Sequence, residues 1–139
     1  MKKIIADTSV AIKWFARETQ DDLAEAILGA GASIHAPGLL MIELANGLWK
    51  KTQRGEFLAS DVQPSLSRLR QLVDHWHGDE SLIEAASRLS LELAHPVYDC
   101  LYLALAADLG APLVTADKRL LAVAPKGRAV ALEEWRFDQ

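Results

Sequence analysis

Ile4-Ile5-Ala6-Asp7-Thr8-Ser9-Val10 decides the fold. Ile4-Ile5-Ala6 is apolar, partly β-branched and too short for a helix, so it reads as a buried strand. Asp7-Thr8-Ser9 then offer capping side chains for a helix running through Val10, Ile12, Trp14 and Phe15. A buried strand that runs straight into a capped helix is the opening of an alternating α/β chain. The rest of the chain repeats that alternation. Asp21-Asp22 open a helix, Leu23 to Leu28, closed by Gly29 and Gly31. Ser33 to Ala36 reads as a second strand, with Pro37 at a first helical position and a helix from Leu39 to Lys51 ending near Gly55. Ser60 and Gln63 have capping-box spacing, with Pro64 in the first turn. Leu66, Leu69, Leu72, Val73 and Trp76 then recur at helical spacing up to Gly78.

Asp79 is placed to cap the next helix, whose Leu82, Ala85, Ala86, Leu89 and Leu93 form an apolar stripe before Pro96. Tyr98 to Leu109 is so apolar that a core helix is expected, stopped by Gly110. Pro112-Leu113-Val114-Thr115 reads as a third buried strand and Val130-Ala131-Leu132 as a fourth. Strands alternating with helices require crossovers, so the expected architecture is α/β/α: one domain over residues 1–139, with a short, mostly parallel central sheet flanked by helices.

Composition narrows the function classes. The chain has 139 residues, half of them hydrophobic and 24% charged, which is ordinary globular composition and excludes disordered, collagenous and coiled-coil classes. A domain of this length buries roughly 68% of its unfolded surface. The apolar run Ile4-Ile5-Ala6 stops at Asp7, far short of a signal-peptide core, and no stretch approaches the roughly 20 residues that cross a bilayer. With Cys100 as the only cysteine there is no internal disulfide. A cytoplasmic protein without membrane contact is expected. Fifteen basic side chains against nineteen acidic give a net charge of −4, which speaks against simple electrostatic coating of nucleic acid.

Four acids account for that deficit. In open parallel sheets ligands bind beyond the carboxyl ends of the strands. Asp7 directly follows the first strand and Asp117 follows Leu113-Val114-Thr115 by one residue, so both belong to one sheet edge. Asp99 begins the apolar helix, where the helix dipole favours a carboxylate. Glu43 interrupts Leu39-Leu40-Met41-Ile42 and Leu44, a run that otherwise asks to be buried, and a charge there needs a partner or a metal. Each acid alone also has a purely structural reading. Asp7 and Asp117 suit N-caps, Asp99 a helix start, and Glu43 an ion pair with Lys50 or Lys51. Two like charges about 4 Å apart repel by roughly 4 kcal/mol at an effective dielectric of 20, so four converging carboxylates call for a cation. An all-oxygen set without His or Cys selects Mg²⁺, or Mn²⁺ as its substitute, over zinc.

The ordered set Asp7-Thr8-Ser9-Val10, Ala36-Pro37 followed by Glu43 and Asn46, Tyr98-Asp99-Cys100-Leu101-Tyr102-Leu103-Ala104-Leu105-Ala106, and Leu113-Val114-Thr115-Ala116-Asp117 resembles the PIN-domain ribonucleases. More narrowly it resembles the VapC-type toxins of bacterial toxin–antitoxin pairs. No single motif is specific, but the order of the acids and their local settings span nearly the whole chain. Gly38 early in the Glu43 helix and Cys100, where the family often carries Ala, are the departures. The resemblance implies an Mg²⁺-dependent endoribonuclease that hydrolyses RNA through a metal-activated water. It makes Asp7, Asp99 and Asp117 metal ligands and Glu43 the fourth catalytic acid, acting through water. It sets Thr8, Ser9 and Thr115 as hydroxyls that orient ligands or water, and Asn46 as the residue that holds the Glu43 carboxylate. It also implies an antitoxin partner seated in a hydrophobic groove near the early helices, which Trp14 or Phe15 faces.

Other features carry less. His75 and His77, read as helical, point to different sides and so suggest surface roles, and His35 and His95 have no evident ligand neighbours. Cys100 reads as a small core residue. Trp49 and Trp76 suit a homodimer interface. Lys50, Lys51, Arg54, Arg68 and Arg70 against Glu56 and Asp61 suit a phosphate-facing patch or simply a solvated helix face. A phosphoryl-receiver domain would need paired acids where Asp7-Thr8-Ser9 stand, and a haloacid-dehalogenase-like phosphatase would need an Asp at Ser9. There is no G-x-x-x-x-G-K-[ST] loop for a nucleotide-binding P-loop. The remaining alternatives are a PIN nuclease of RNA processing without an antitoxin, and a non-catalytic PIN-like binding module. Without its four acids the chain would carry fifteen charges of each sign, so its acidity reads as a cation site rather than as repulsion of RNA.

Overall fold

A computed structural model describes residues 2–137. Five strands, β1 (Lys3–Ala6), β2 (Ser33–Pro37), β3 (His75–His77), β4 (Leu113–Thr115) and β5 (Ala129–Ala131), form one sheet in the order β3-β2-β1-β4-β5. Every pairing is parallel, with Ile5 opposite both His35 and Leu113. The helices are α1 (Thr8–Ala11), α2 (Asp21–Leu28), α3 (Leu39–Gln53), α4 (Val62–Leu72), α5 (Asp79–Leu93), α6 (Val97–Leu109) and α7 (Lys118–Val123). Parallel pairing requires crossovers, and these helices supply them. The chain therefore has the expected parallel sheet flanked by helices.

The core lies where the sequence is most apolar. Ile4, Ile5 and Ala6 of β1 are fully buried, and so are Leu40, Leu44 and Leu48, which recur every four residues along α3. In α6 the whole run Cys100 to Ala106 is buried, and Gly110 ends the helix at φ +60°, a conformation that costs glycine little. The chain moves outward from β1 through β2 to β3, then crosses back to place β4 on the other side of β1. The direction of travel reverses between β1 and β4, and in such sheets the crevice beyond the strand ends at that point is where ligands bind.

Several local expectations give way. The early helix is one α-turn, Thr8–Ala11, followed by a 3₁₀ turn, Ile12–Trp14. Pro37 closes β2 instead of opening α3, and Ser60 lies in a short 3₁₀ turn, Ala59–Asp61, without capping the helix beyond. The largest correction concerns residues 73–78. Helix α4 stops at Leu72 because Asp74 fastens the chain to β2: its backbone N–H donates to the Ile34 carbonyl at 2.8 Å, and its carboxylate accepts from Ile34 N at 2.7 Å. His75-Trp76-His77 is consequently an edge strand. On a strand, residues two apart share a face, so His75 and His77 both meet His35. The His35 ring stacks on His75 with centroids 4.6 Å apart, and His35 Nδ1 lies 2.9 Å from His77 Nε2. The Ser33 hydroxyl takes the other nitrogen of His35 at 3.1 Å. Burial first, then the neighbouring His75 and His77, push His35 down to about 4. Asp79 also works elsewhere than expected, since its carboxylate accepts from Leu39 N at 3.0 Å and caps α3, across the sheet end from its own helix.

Candidate active site

Asp7 leaves the carboxyl end of β1 in extended conformation and enters α1 as its N-cap, accepting from Val10 N at 3.3 Å. The hydroxyls of Ser9 and Thr115 donate to its two carboxylate oxygens. Ser9 Oγ also accepts from Ala116 N at 2.8 Å, and Thr115 Oγ1 accepts from Asp117 N at 3.0 Å. Two hydroxyls, Ser9 and Thr115, thus tie β1 to the end of β4. Asp7 is 5% exposed, and burial pushes its carboxyl up to about 6. Donation from Ser9, Thr115 and Val10 works against that shift, and the charge of Asp99 adds to it.

The other three acids share a different arrangement. Glu43, half-buried on α3, receives the Tyr102 hydroxyl at 2.6 Å and the Thr8 hydroxyl at 2.8 Å, both on Oε1. Asp99, in the first turn of α6, has Oδ2 2.6 Å from His95 Nε2. Asp117 is the N-cap of α7, and its Oδ1 accepts from Arg119 N at 2.9 Å and Leu120 N at 3.2 Å. Each carboxylate is therefore steadied through one oxygen. Among the described residues Glu43 Oε2, Asp99 Oδ1 and Asp117 Oδ2 receive no hydrogen bond from the protein. Asp99 and Asp117 line one cleft of about 500 Å³ with His95 and Arg119.

The structural readings of Asp7 and Asp117 as N-caps are thus correct, and they leave carboxylate capacity over at Asp117. His95 does have a neighbour, Asp99, contrary to expectation. Asn46 does not hold Glu43. It is exposed and makes no hydrogen bond among the described residues, because it stands on the outer face of α3. The residue that sequence reasoning missed is Tyr102, whose place inside an apolar run made it look like core. Its three-residue spacing from Asp99 was the available signal, since residues three apart share a helix face. Tyr102 is 1% exposed, and burial together with Glu43 holds its hydroxyl well above the usual phenol range, so it remains a donor.

The donor chemistry suits a hard divalent cation. Among the described residues no three acidic, imidazole or thiol side chains stand close enough together to hold a metal ion by themselves. Mg²⁺ does not ask for three, because it keeps several waters and takes one or two carboxylates. A buried Asp7 repelled by Asp99, with single open oxygens on the neighbouring acids, fits such a partly hydrated ion.

Comparisons with known proteins identify the family. The model of the family described as PIN domain matches residues 4–126. Ribonuclease VapC9 of Mycobacterium tuberculosis is 33% identical over 117 residues, covering 84% of this chain and 87% of that protein. Ribonuclease VapC3 of Pyrobaculum aerophilum is 28% identical over 120 residues, covering 85% and 92%. A crystal structure of a Pyrobaculum aerophilum protein superposes with a TM-score of 0.72 at 22% identity, over 95% of this chain and 92% of that one. VapBC2 of Rickettsia felis, solved bound to a DNA fragment from its promoter, superposes at 0.69 with 15% identity, over 96% and 99%. With its sheet order, its acids at the reversal point and a family match across most of its length, the chain belongs to the PIN-domain family.

Proposed function

We propose that this chain is an Mg²⁺-dependent endoribonuclease acting as the toxin of a toxin–antitoxin pair. The observation that carries this reading is the set of singly tethered carboxylates, Glu43, Asp99 and Asp117, around the buried Asp7 at the sheet's reversal point. The names of the relatives, ribonucleases VapC3 and VapC9, support the activity.

Asp7, Asp99 and Asp117 are the ligands in this reading. A bound Mg²⁺, or Mn²⁺ in its place, supplies a water of lowered pKa and neutralises charge on the scissile phosphate. The chain's own part is positioning. Ser9 and Thr115 hold Asp7 still, His95 holds Asp99, and the backbone of α7 holds Asp117. Glu43 Oε2 accepts a hydrogen bond from the attacking water. Arg119 lines the cleft beside Asp99 and Asp117 and offers a cation to the phosphate.

The antitoxin reading is supported by a groove beside the early helices. Phe15, Phe57 and Asp61 line two adjoining cavities of about 370 and 260 Å³, one reaching Arg17 and exposed Leu58, the other Arg68. Phe15 lines both cavities, whereas Trp14, which donates its indole N–H to the Ala24 carbonyl at 2.8 Å, lines a further cavity with Phe15 and Arg17. Trp49, 56% exposed, and Ile42, 66% exposed, lie seven residues apart on α3 and suit a homodimer face. Trp76 is half-buried against the core and does not. Of the basic residues, Lys51 is spent on Glu18 at 2.8 Å, which leaves the phosphate-facing role to the exposed Lys50, Arg54, Arg68 and Arg70. No helix among the described residues is long and apolar enough to cross a membrane, and a cytoplasmic location is part of this proposal.

Inducible expression with and without the small partner frame expected next to the gene tests the toxin role. Growth arrest relieved by the partner is the expected result. Unaffected growth with soluble, RNA-cleaving protein would leave a nuclease without an antitoxin.

A further inference from the structure

We propose that Tyr102 is a positioning residue for the reaction: with Thr8 it clamps Oε1 of Glu43 and reserves Oε2 as the working atom. This rests on the ribonuclease reading above. Each hydroxyl has one proton, and both point at the same carboxylate oxygen, Tyr102 at 2.6 Å and Thr8 at 2.8 Å. The two hydroxyl oxygens are 3.3 Å apart, so a bond between them forms only when one of them lets go of Glu43. The clamp joins α1, α3 and α6, the three helices that carry Thr8, Glu43 and Asp99. A carboxylate held at one oxygen by two donors has a fixed plane, and its second oxygen keeps its full acceptor capacity.

The surroundings give the hydroxyl no other task. Tyr102 is 1% exposed, and among the described residues the hydrogen-bonding neighbours of its hydroxyl are Glu43 and Thr8. Phenylalanine would fill the same space without a buried polar atom to satisfy. Burial and Glu43 keep the phenol protonated through the neutral range, so it donates rather than exchanging protons with substrate.

The test compares Tyr102→Phe, Glu43→Gln and the double variant in single-turnover RNA cleavage, and in thermal unfolding in EDTA without RNA. Tyr102→Phe should lower kcat about 10–100-fold with KM nearly unchanged, and should cost nothing more in the Glu43→Gln background. Thr8→Ser should keep activity that Thr8→Val loses. In EDTA the melting-temperature shifts of the two single variants should be less than additive in the double. A Tyr102→Phe variant with wild-type kcat, or one that loses equally in both backgrounds, overturns the positioning role while the ribonuclease reading stands. A wild-type protein that cleaves no RNA overturns the reading and the role together, and coupled melting shifts would then show a clamp that is structural only.

Discussion

The buried carboxylate at the centre of the site should make the metal-free protein less stable at neutral pH than it is with that charge removed. Asp7 is raised from 3.8 to about 6 by burial, against the pull of three donors. An acid with a raised folded pKa binds its proton more tightly in the native state, so its contribution is favourable at low pH and is lost as pH rises from 3.8 through about 6. At roughly 1.4 kcal/mol per pKa unit, ionising Asp7 costs about 3 kcal/mol above that window. Asp7→Asn removes the cost and can keep the network. The amide oxygen accepts from Ser9 and Val10, and the amide nitrogen donates to Thr115 Oγ1, whose proton turns to Ser9 Oγ at 3.2 Å. Urea unfolding in EDTA from pH 4 to 8 reads the effect. The variant should exceed the wild type by about 3 kcal/mol at pH 7.5, and the gap should close toward pH 4. Adding Mg²⁺ should stabilise the wild type and narrow the gap, since a ligand that binds only the native state adds to its stability. A variant less stable than the wild type at pH 7.5, or a gap that ignores pH, would refute the reasoning.

The histidine cluster makes the opposite pH prediction. His35 falls from 6.5 to about 4, so the unfolded chain takes up a proton that the native state refuses, and stability is lost as pH drops between those values, by about 3 kcal/mol at the limit. Asp7 and His35 therefore oppose each other in one window, and His35→Gln should leave a protein that gains stability relative to the wild type on acidification, by the same unfolding series. Asp79→Ala removes the α3 cap and should cost about 1 kcal/mol by chemical denaturation, with a fall in RNA cleavage because α3 carries Glu43. Gly110→Ala forces a β-carbon onto φ +60° and should lower the melting temperature by several degrees, corresponding to about 1 kcal/mol, with cleavage unchanged.

What could be read from residues alone was whatever is local. Ile4-Ile5-Ala6 and Leu113 to Thr115 are short, mainly apolar runs, Ser33 to Ala36 alternates polar and apolar residues, and each is a strand. Asp7, Asp99 and Asp117 stand out because each sits where a strand ends or a helix begins, and Glu43 because it interrupts an apolar run within α3. Strand β3 was not, because Leu66, Leu69, Leu72 and Trp76 keep helical spacing. What stops the helix is Asp74 bonding to Ile34, 40 residues away in sequence. The same non-locality hid the three-histidine cluster and the capping of α3 by Asp79. Tyr102 and Asn46 failed together. Asn46 is near Glu43 along the helix but faces outward, whereas Tyr102 is 59 residues from Glu43 and touches it. Which polar group reaches a carboxylate is settled by how α1, α3 and α6 pack, and local spacing does not contain that.

The central claim, that Asp7 and Asp99 build a divalent-cation site for RNA hydrolysis, is tested most directly by cleavage of a labelled RNA at pH 7.5. The wild type, Asp7→Asn and Asp99→Asn should be compared in Mg²⁺ and in EDTA. Cleavage by the wild type in Mg²⁺ alone, with at least about 100-fold loss in two variants that remain folded, is the predicted result. Undiminished cleavage by both variants, or wild-type cleavage that persists in EDTA, would contradict it.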